Sequence, residues 1–195
     1  TEFLGRKMVE PSQPFQMILT EVRHIKSRMV DQAFEIHIGL PWTYYTRSGS
    51  GPAVDSYHVL YLLDSNFNFG GTLQAVRNLL AGFEIPELIV VGIGYKLSPQ
   101  ELADASVLRM RDYTPTEFED DVINPTTTGE DKVQIVTGGA GNFLNFIEKE
   151  LIPEIESNYR VHTDDRGFYG HSLGGLFGLY TLFNRPEVFH RYIIS

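Results

Sequence analysis

Two uninterrupted apolar runs constrain this chain more than any other feature: YHVLYLLD at 57–64 and ELIVVGIGY at 87–95. Neither alternates, so each reads as a strand buried on both faces, as in a parallel sheet covered by helices on its two sides. Between them TLQAVRNLLAGF (72–83) carries Leu73, Val76, Leu79 and Leu80 at helical spacing. Downstream, NFLNFIEKELIPEIESNY (142–159) reads as an amphipathic helix kinked or broken by Pro153. RGFYGH (166–171) reads as a short strand, LGGLFGLYTLFN (173–184) as a helix and FHRYIIS (189–195) as one more strand. Upstream, FQMILTEVRHI (15–25) and AFEIHIGLP (33–41) alternate in part and are joined by the short SRMVDQ, which predicts an antiparallel pair. GSGP at 49–52 reads as a loop. The sum is an α/β fold, a mostly parallel sheet flanked by helices, in a single domain spanning residues 1–195.

Charge narrows the partners. Sixteen basic against 25 acidic residues give a net charge of −9, which argues against nucleic acid or an anionic membrane as a main partner. The chain has no cysteine, so disulfides, thiolate metal sites and a cysteine nucleophile are excluded. No pair of histidines has metal-site spacing on one helix, and neither metal nor cofactor is expected.

Chemistry concentrates in Gly170-His171-Ser172-Leu173-Gly174, where a strand must reverse into a helix with Ser172 at the apex. G-x-S-x-G in that context is a nucleophile elbow: the turn strains the serine backbone, and flanking glycines leave room for it. The first N–H groups of the next helix then lie beside the hydroxyl, oriented for an oxyanion, and the Leu173 N–H is the first expected donor. A second donor is expected from the loop after strand 57–64, LLDSNFNFGG (62–71), at an N–H within one or two positions of Asn66. Asp64 either orients this loop or contacts substrate; turn-forming Asp and Asn are the plainer reading.

The segments VLYLLDSNFNFG, IVVGIGY, RMRDYTPT, GGAGNFLNFIEKELIPEIESNYRV and RGFYGHSLGGLFGLYTLFNRPEVFHRYIIS resemble the "Putative esterase" family of α/β hydrolases. Its members include siderophore esterases, S-formylglutathione hydrolases, feruloyl esterases and mycolyltransferases, and the combination is most similar to the bacterial siderophore-esterase-like branch. The resemblance implies an α/β-hydrolase fold with Ser172 as nucleophile, the Leu173 N–H as one oxyanion donor and the loop after Asp64 as the other. It also implies ester hydrolysis through an acyl-enzyme, on a siderophore ester or another small acyl ester. An acyltransferase of the same fold is the alternative, as is a catalytically incomplete chain lacking the triad acid and histidine. One departure stands out: Ser65 occupies a position where relatives often carry Gly after the Asp.

A serine hydroxyl needs a base, and in this fold the order is Ser, acid, His. Only Glu187 and His190 follow Ser172 as acid and base candidates. The helix between spans about 18 Å at 1.5 Å per residue, which carries His190 away from the elbow. His24, His37, His58, His162 and His171 read as structural or surface residues. The chain is therefore expected to be the N-terminal portion of a longer hydrolase, with a sheet edge open to self-association.

Residues 96–140 form a long connection expected to roof the pocket. Within it Arg109, Arg111 and Asp112 are candidates either for contacting a polar or acidic substrate or for anchoring the loop through salt bridges. Glu117, Glu119, Asp120 and Asp121 read as a solvated face.

Overall fold

The computed structural model describes residues 2–3, 6–7, 16–45, 55–102, 104–118 and 136–195. The GSGP segment and the acidic run from Glu119 to Asp121 lie outside the described residues. A short antiparallel ribbon pairs β1 (Glu2–Phe3) with β2 (Arg6–Lys7). The main sheet comprises β3 (Thr20–Lys26), β4 (Ala33–Gly39), β5 (Tyr57–Leu62), β6 (Leu88–Tyr95), β7 (Val161–Gly170) and β8 (Arg191–Ile194). Their order is β3-β4-β6-β5-β7-β8. The pairs β3–β4 and β4–β6 are antiparallel, whereas β6–β5, β5–β7 and β7–β8 are parallel. The antiparallel entry into a parallel sheet is the architecture expected from the sequence.

The two apolar runs occupy the centre. Every residue of β6 after Leu88 is buried, because both of its faces are covered. On one face α1 (Ser65–Ala81) brings Phe69, Leu73 and Val76 against Leu62 and Val90. The opposite face packs against α2 (Asp104–Tyr113), α3 (Ala140–Phe146), α4 (Ile152–Asn158) and α5 (Leu173–Asn184), where Tyr113, Phe143, Phe146, Phe168 and Phe177 form an aromatic core. Phe34 stacks on Phe146 with ring centroids 4.3 Å apart.

Three expectations are corrected. LLDSNFNFGG is not a ten-residue loop: α1 starts at Ser65, seven residues before the predicted helix, and only Leu63 and Asp64 separate it from β5. Gly70 and Gly71 suggested a loop, at about 1 kcal/mol each relative to Ala in a helix. Burial of Phe69, Leu73 and Val76 along one stripe outweighs that cost. Second, the long connection holds a helix of its own, α2, and residues 119–135 of it lie outside the described residues. Third, Pro153 neither breaks nor ends the helical run. Residues Ile147–Leu151 adopt a π-helical turn between α3 and α4. The wider turn takes up the hydrogen bond that a proline ring displaces one turn upstream.

Candidate active site

The elbow is built by β7 and α5. β7 ends at Gly170, α5 starts at Leu173, and Ser172 between them has φ 56° and ψ −119°. That is a region L-residues rarely enter, and strain of this kind clusters at functional sites. Two backbone bonds to the end of β8 hold it there. The Ser172 N–H donates to the Ser195 carbonyl at 2.8 Å and the Ser195 N–H donates to the Gly170 carbonyl at 3.1 Å. Gly170 is required by close approach, since a Cβ there would collide with the Gly174 carbonyl oxygen. Gly170→Ala is therefore expected to destabilise the protein by about 1–3 kcal/mol through overpacking. A denaturant melt that matches wild type would contradict that account.

Ser172 is exposed to solvent. Leu173 begins α5, so its N–H has no carbonyl inside the helix to bond. The second half of the site comes from the neighbouring strand. β5 and β7 are parallel with Leu62 opposite Tyr169, so the α1 N-terminus and the elbow leave the same edge of the sheet. Gly174 packs beside Leu63 and the Asp64 carboxylate, which brings the two turns into contact. Asn66 is the second residue of α1, and its N–H likewise has no intrahelical partner.

Three consecutive residues at this helix start are each held by a different element. Asp64, in the left-handed region at φ 55°, accepts two bonds from Arg109 of α2: Nε to Oδ1 and Nη2 to Oδ2, both at 3.0 Å. The next residue, Ser65, has its hydroxyl 2.6 Å from His37 Nδ1 on β4. Asn66 pairs through its side chain with the end of β6. Its Nδ2 donates to the Tyr95 carbonyl at 2.9 Å and its Oδ1 accepts from the Tyr95 N–H at 2.7 Å.

Of the sequence candidates, Ser172, Leu173, Asn66, Asp64 and Arg109 converge here. Arg109 also reaches the His171 carbonyl at 3.5 Å and lies over the Tyr113 ring at 5.6 Å, so Asp64 and Arg109 are engaged with each other and with the elbow. Arg111 is placed elsewhere: its Nε and Nη2 bond the Asp112 carboxylate at 2.7 and 2.9 Å. Asp112 is fully buried and also accepts from the Tyr95 hydroxyl at 3.0 Å. Burial pushes its carboxyl above the ordinary range, and Arg111 pulls the other way. The pair ties α2 to β6.

The other histidines are committed. His171 Nδ1 lies 3.0 Å from the Ser195 hydroxyl. His190 Nδ1 accepts from the Arg166 N–H at 3.1 Å. Since Ile194 pairs with Gly170 at the elbow end of β8, His190 lies roughly 13 Å below, at 3.3 Å per strand residue. His58 Nδ1 lies 2.9 Å from the Asp165 carboxylate at the start of β5, with the His162 ring beside it. Among the described residues no group of three or more His, Asp or Glu is arranged to hold a metal ion. No described helix is long and apolar enough to cross a membrane.

The contacts that sequence reasoning missed are those of His37 and Tyr95. Strand alternation puts Glu35 and His37 of β4 on one face, but nothing local says that Ser65 would land on it.

A mostly parallel sheet with helices on both faces and a serine at a strained strand-to-helix elbow defines an α/β hydrolase. A family model described as "Putative esterase" matches residues 27–194, and the chain belongs to that family. It is 36% identical over 189 residues to Ferri-bacillibactin esterase BesA of Bacillus subtilis (strain 168), covering 93% of this chain and 59% of that protein. It is 34% identical over 151 residues to a siderophore triacetylfusarinine C esterase of Aspergillus fumigatus, covering 76% of this chain and 45% of that one. The crystal structure of the BES protein from Bacillus cereus matches with a TM-score of 0.75 at 32% identity, over 96% of this chain and 66% of that chain. The chain thus spans less than two thirds of the length of these relatives.

Proposed function

We propose that the natural protein bearing these residues is a serine esterase that cleaves small carboxylic esters, siderophore esters in the first place. The observation that carries the reading is Ser172, solvent-exposed at φ 56° between β7 and the N-terminus of α5. Its hydroxyl oxygen attacks the ester carbonyl, and the carbonyl oxygen takes up the negative charge. The N–H groups of Leu173 and Asn66 stabilise that oxyanion where charge develops, which is where stabilisation lowers the barrier. Collapse expels the alcohol and leaves an acyl-serine; water then attacks the acyl carbon, the acid leaves, and the serine regains its proton. A histidine base, oriented by an acid, takes the proton from Ser172 and delivers it to the departing alkoxide. None of the six histidines of this chain is assigned that role. In this reading Asp64 and Arg109 hold the site and do not touch substrate. The substrate class is supported by the two siderophore esterases named above, each at more than 30% identity.

A fluorophosphonate probe tests the nucleophile directly. One adduct is expected, on the peptide carrying Ser172, when the natural full-length protein is treated and mapped by mass spectrometry. A folded protein whose adduct falls on another serine, or that takes none, overturns the assignment.

A further inference from the structure

β4 contributes more to the site than a place in the sheet. His37 Nδ1 is 2.6 Å from the Ser65 hydroxyl, and His37 Nε2 is 2.9 Å from Glu35 Oε1. Burial pushes the imidazole below its ordinary value, against the pull of Glu35, so the ring is neutral near pH 7. A carboxylate only accepts, so with Glu35 Oε1 at 2.9 Å the neutral ring is assigned its proton on Nε2, leaving Nδ1 to accept from the Ser65 hydroxyl. Ser65, His37 and Glu35 thus have the connectivity of a nucleophilic triad. They also line one open depression of about 380 Å³ with Asn66, Phe67 and Leu97.

The geometry nevertheless rules out Ser65 as an attacking group. Ser65 is only 3% exposed, and its hydroxyl lies flat on β6, where a Cβ at Gly92 would collide with it. A reacting carbonyl must come within about 3–3.5 Å of the nucleophile, and the sheet fills that approach. What the array does fix is the first peptide of α1. Ser65 is tied to β4 on one side, Asn66 to the Tyr95 backbone on the other, and the peptide between them carries the Asn66 N–H.

We propose that His37, oriented by Glu35, is a positioning residue that sets the direction of the Asn66 N–H by holding the Ser65 hydroxyl. The inference rests on the esterase reading above. A donor that acts only on the oxyanion affects the transition state and not the bound ester, so loss of alignment lowers kcat and spares KM. In the natural full-length protein, with a chromogenic short-chain ester, His37→Phe is expected to lower kcat roughly 10- to 100-fold, the scale of a misaligned catalytic group. KM is expected to stay near wild type. A boronic acid that forms a tetrahedral adduct on Ser172 is expected to bind more weakly by the same factor as kcat/KM falls. Ser65→Ala, a smaller change that removes only the hydroxyl, is expected to match His37→Phe, and the double variant to be no worse than either single. His37→Asn, whose side-chain oxygen can take the place of Nδ1, is expected to retain most of kcat. Wild-type kcat in both His37→Phe and Ser65→Ala overturns the proposal. So does a loss that tracks only the folded fraction, with boronate affinity unchanged. Wild-type turnover that survives Ser172→Ala would instead defeat the esterase reading, and the proposal with it.

Discussion

Ester turnover by the natural full-length protein is expected to fall by about four to six orders of magnitude in Ser172→Ala, the scale for removing a nucleophile from a triad-type enzyme. Some catalysis above water survives such a loss, because the oxyanion donors and the binding surface remain. The elbow itself should be undisturbed: Ala has a Cβ like Ser, and the bonds that hold residue 172 run from its backbone N–H to Ser195 and from the Leu176 N–H to its carbonyl. Ser172→Gly separates strain from chemistry. Glycine enters φ 56° without the Cβ penalty, so this variant should be as inactive as the alanine one yet more stable by about 1 kcal/mol or more. Steady-state kinetics on the three proteins, with thermal melts alongside, checks both statements. Comparable activity in all three would remove Ser172 from the mechanism.

The second large effect belongs to Arg109. Asp64 is 9% exposed, and both its carboxylate oxygens are taken by one guanidinium. Arg109→Met keeps much of the aliphatic volume but leaves a buried carboxylate unpaired, a loss of about 3–5 kcal/mol. Denaturant unfolding should show it as a lower midpoint at unchanged slope. Arg109→Lys restores charge without the planar fork, so it is expected to recover only part of the loss. Activity should fall further than the folded fraction accounts for, because Asp64 precedes the candidate oxyanion donor by two residues. A midpoint unchanged in Arg109→Met would mean that the pair contributes nothing to stability.

Much of the frame was legible because single strands announce their surroundings. β6 reads as doubly buried from ELIVVGIGY alone, and G-x-S-x-G by itself places an elbow between a strand and a helix. Where local chemistry and tertiary packing disagree, the sequence misled. Gly70 and Gly71 look like a loop, yet Phe69 and Leu73 beside them face the sheet and draw the helix back to Ser65. Pro153 looks like a stop, yet a π-turn accommodates it. The site was half visible. As candidates, Ser172 and Asn66 follow from strand order and turn chemistry, whereas His37 meets Ser65 only because β4 lies next to β6, a neighbour 55 residues away in register (His37 opposite Gly92). No local pattern carries that information.

Arg109 has one further consequence. A single guanidinium grips Asp64 on the α1 side and reaches the His171 carbonyl on the elbow side, so the two halves of the site share one reference point on α2. The spacing between them is therefore tied to the position of α2. The helix thereby acts as a common gauge for the candidate site: a displacement of α2 would reach both turns at once instead of opening one against the other.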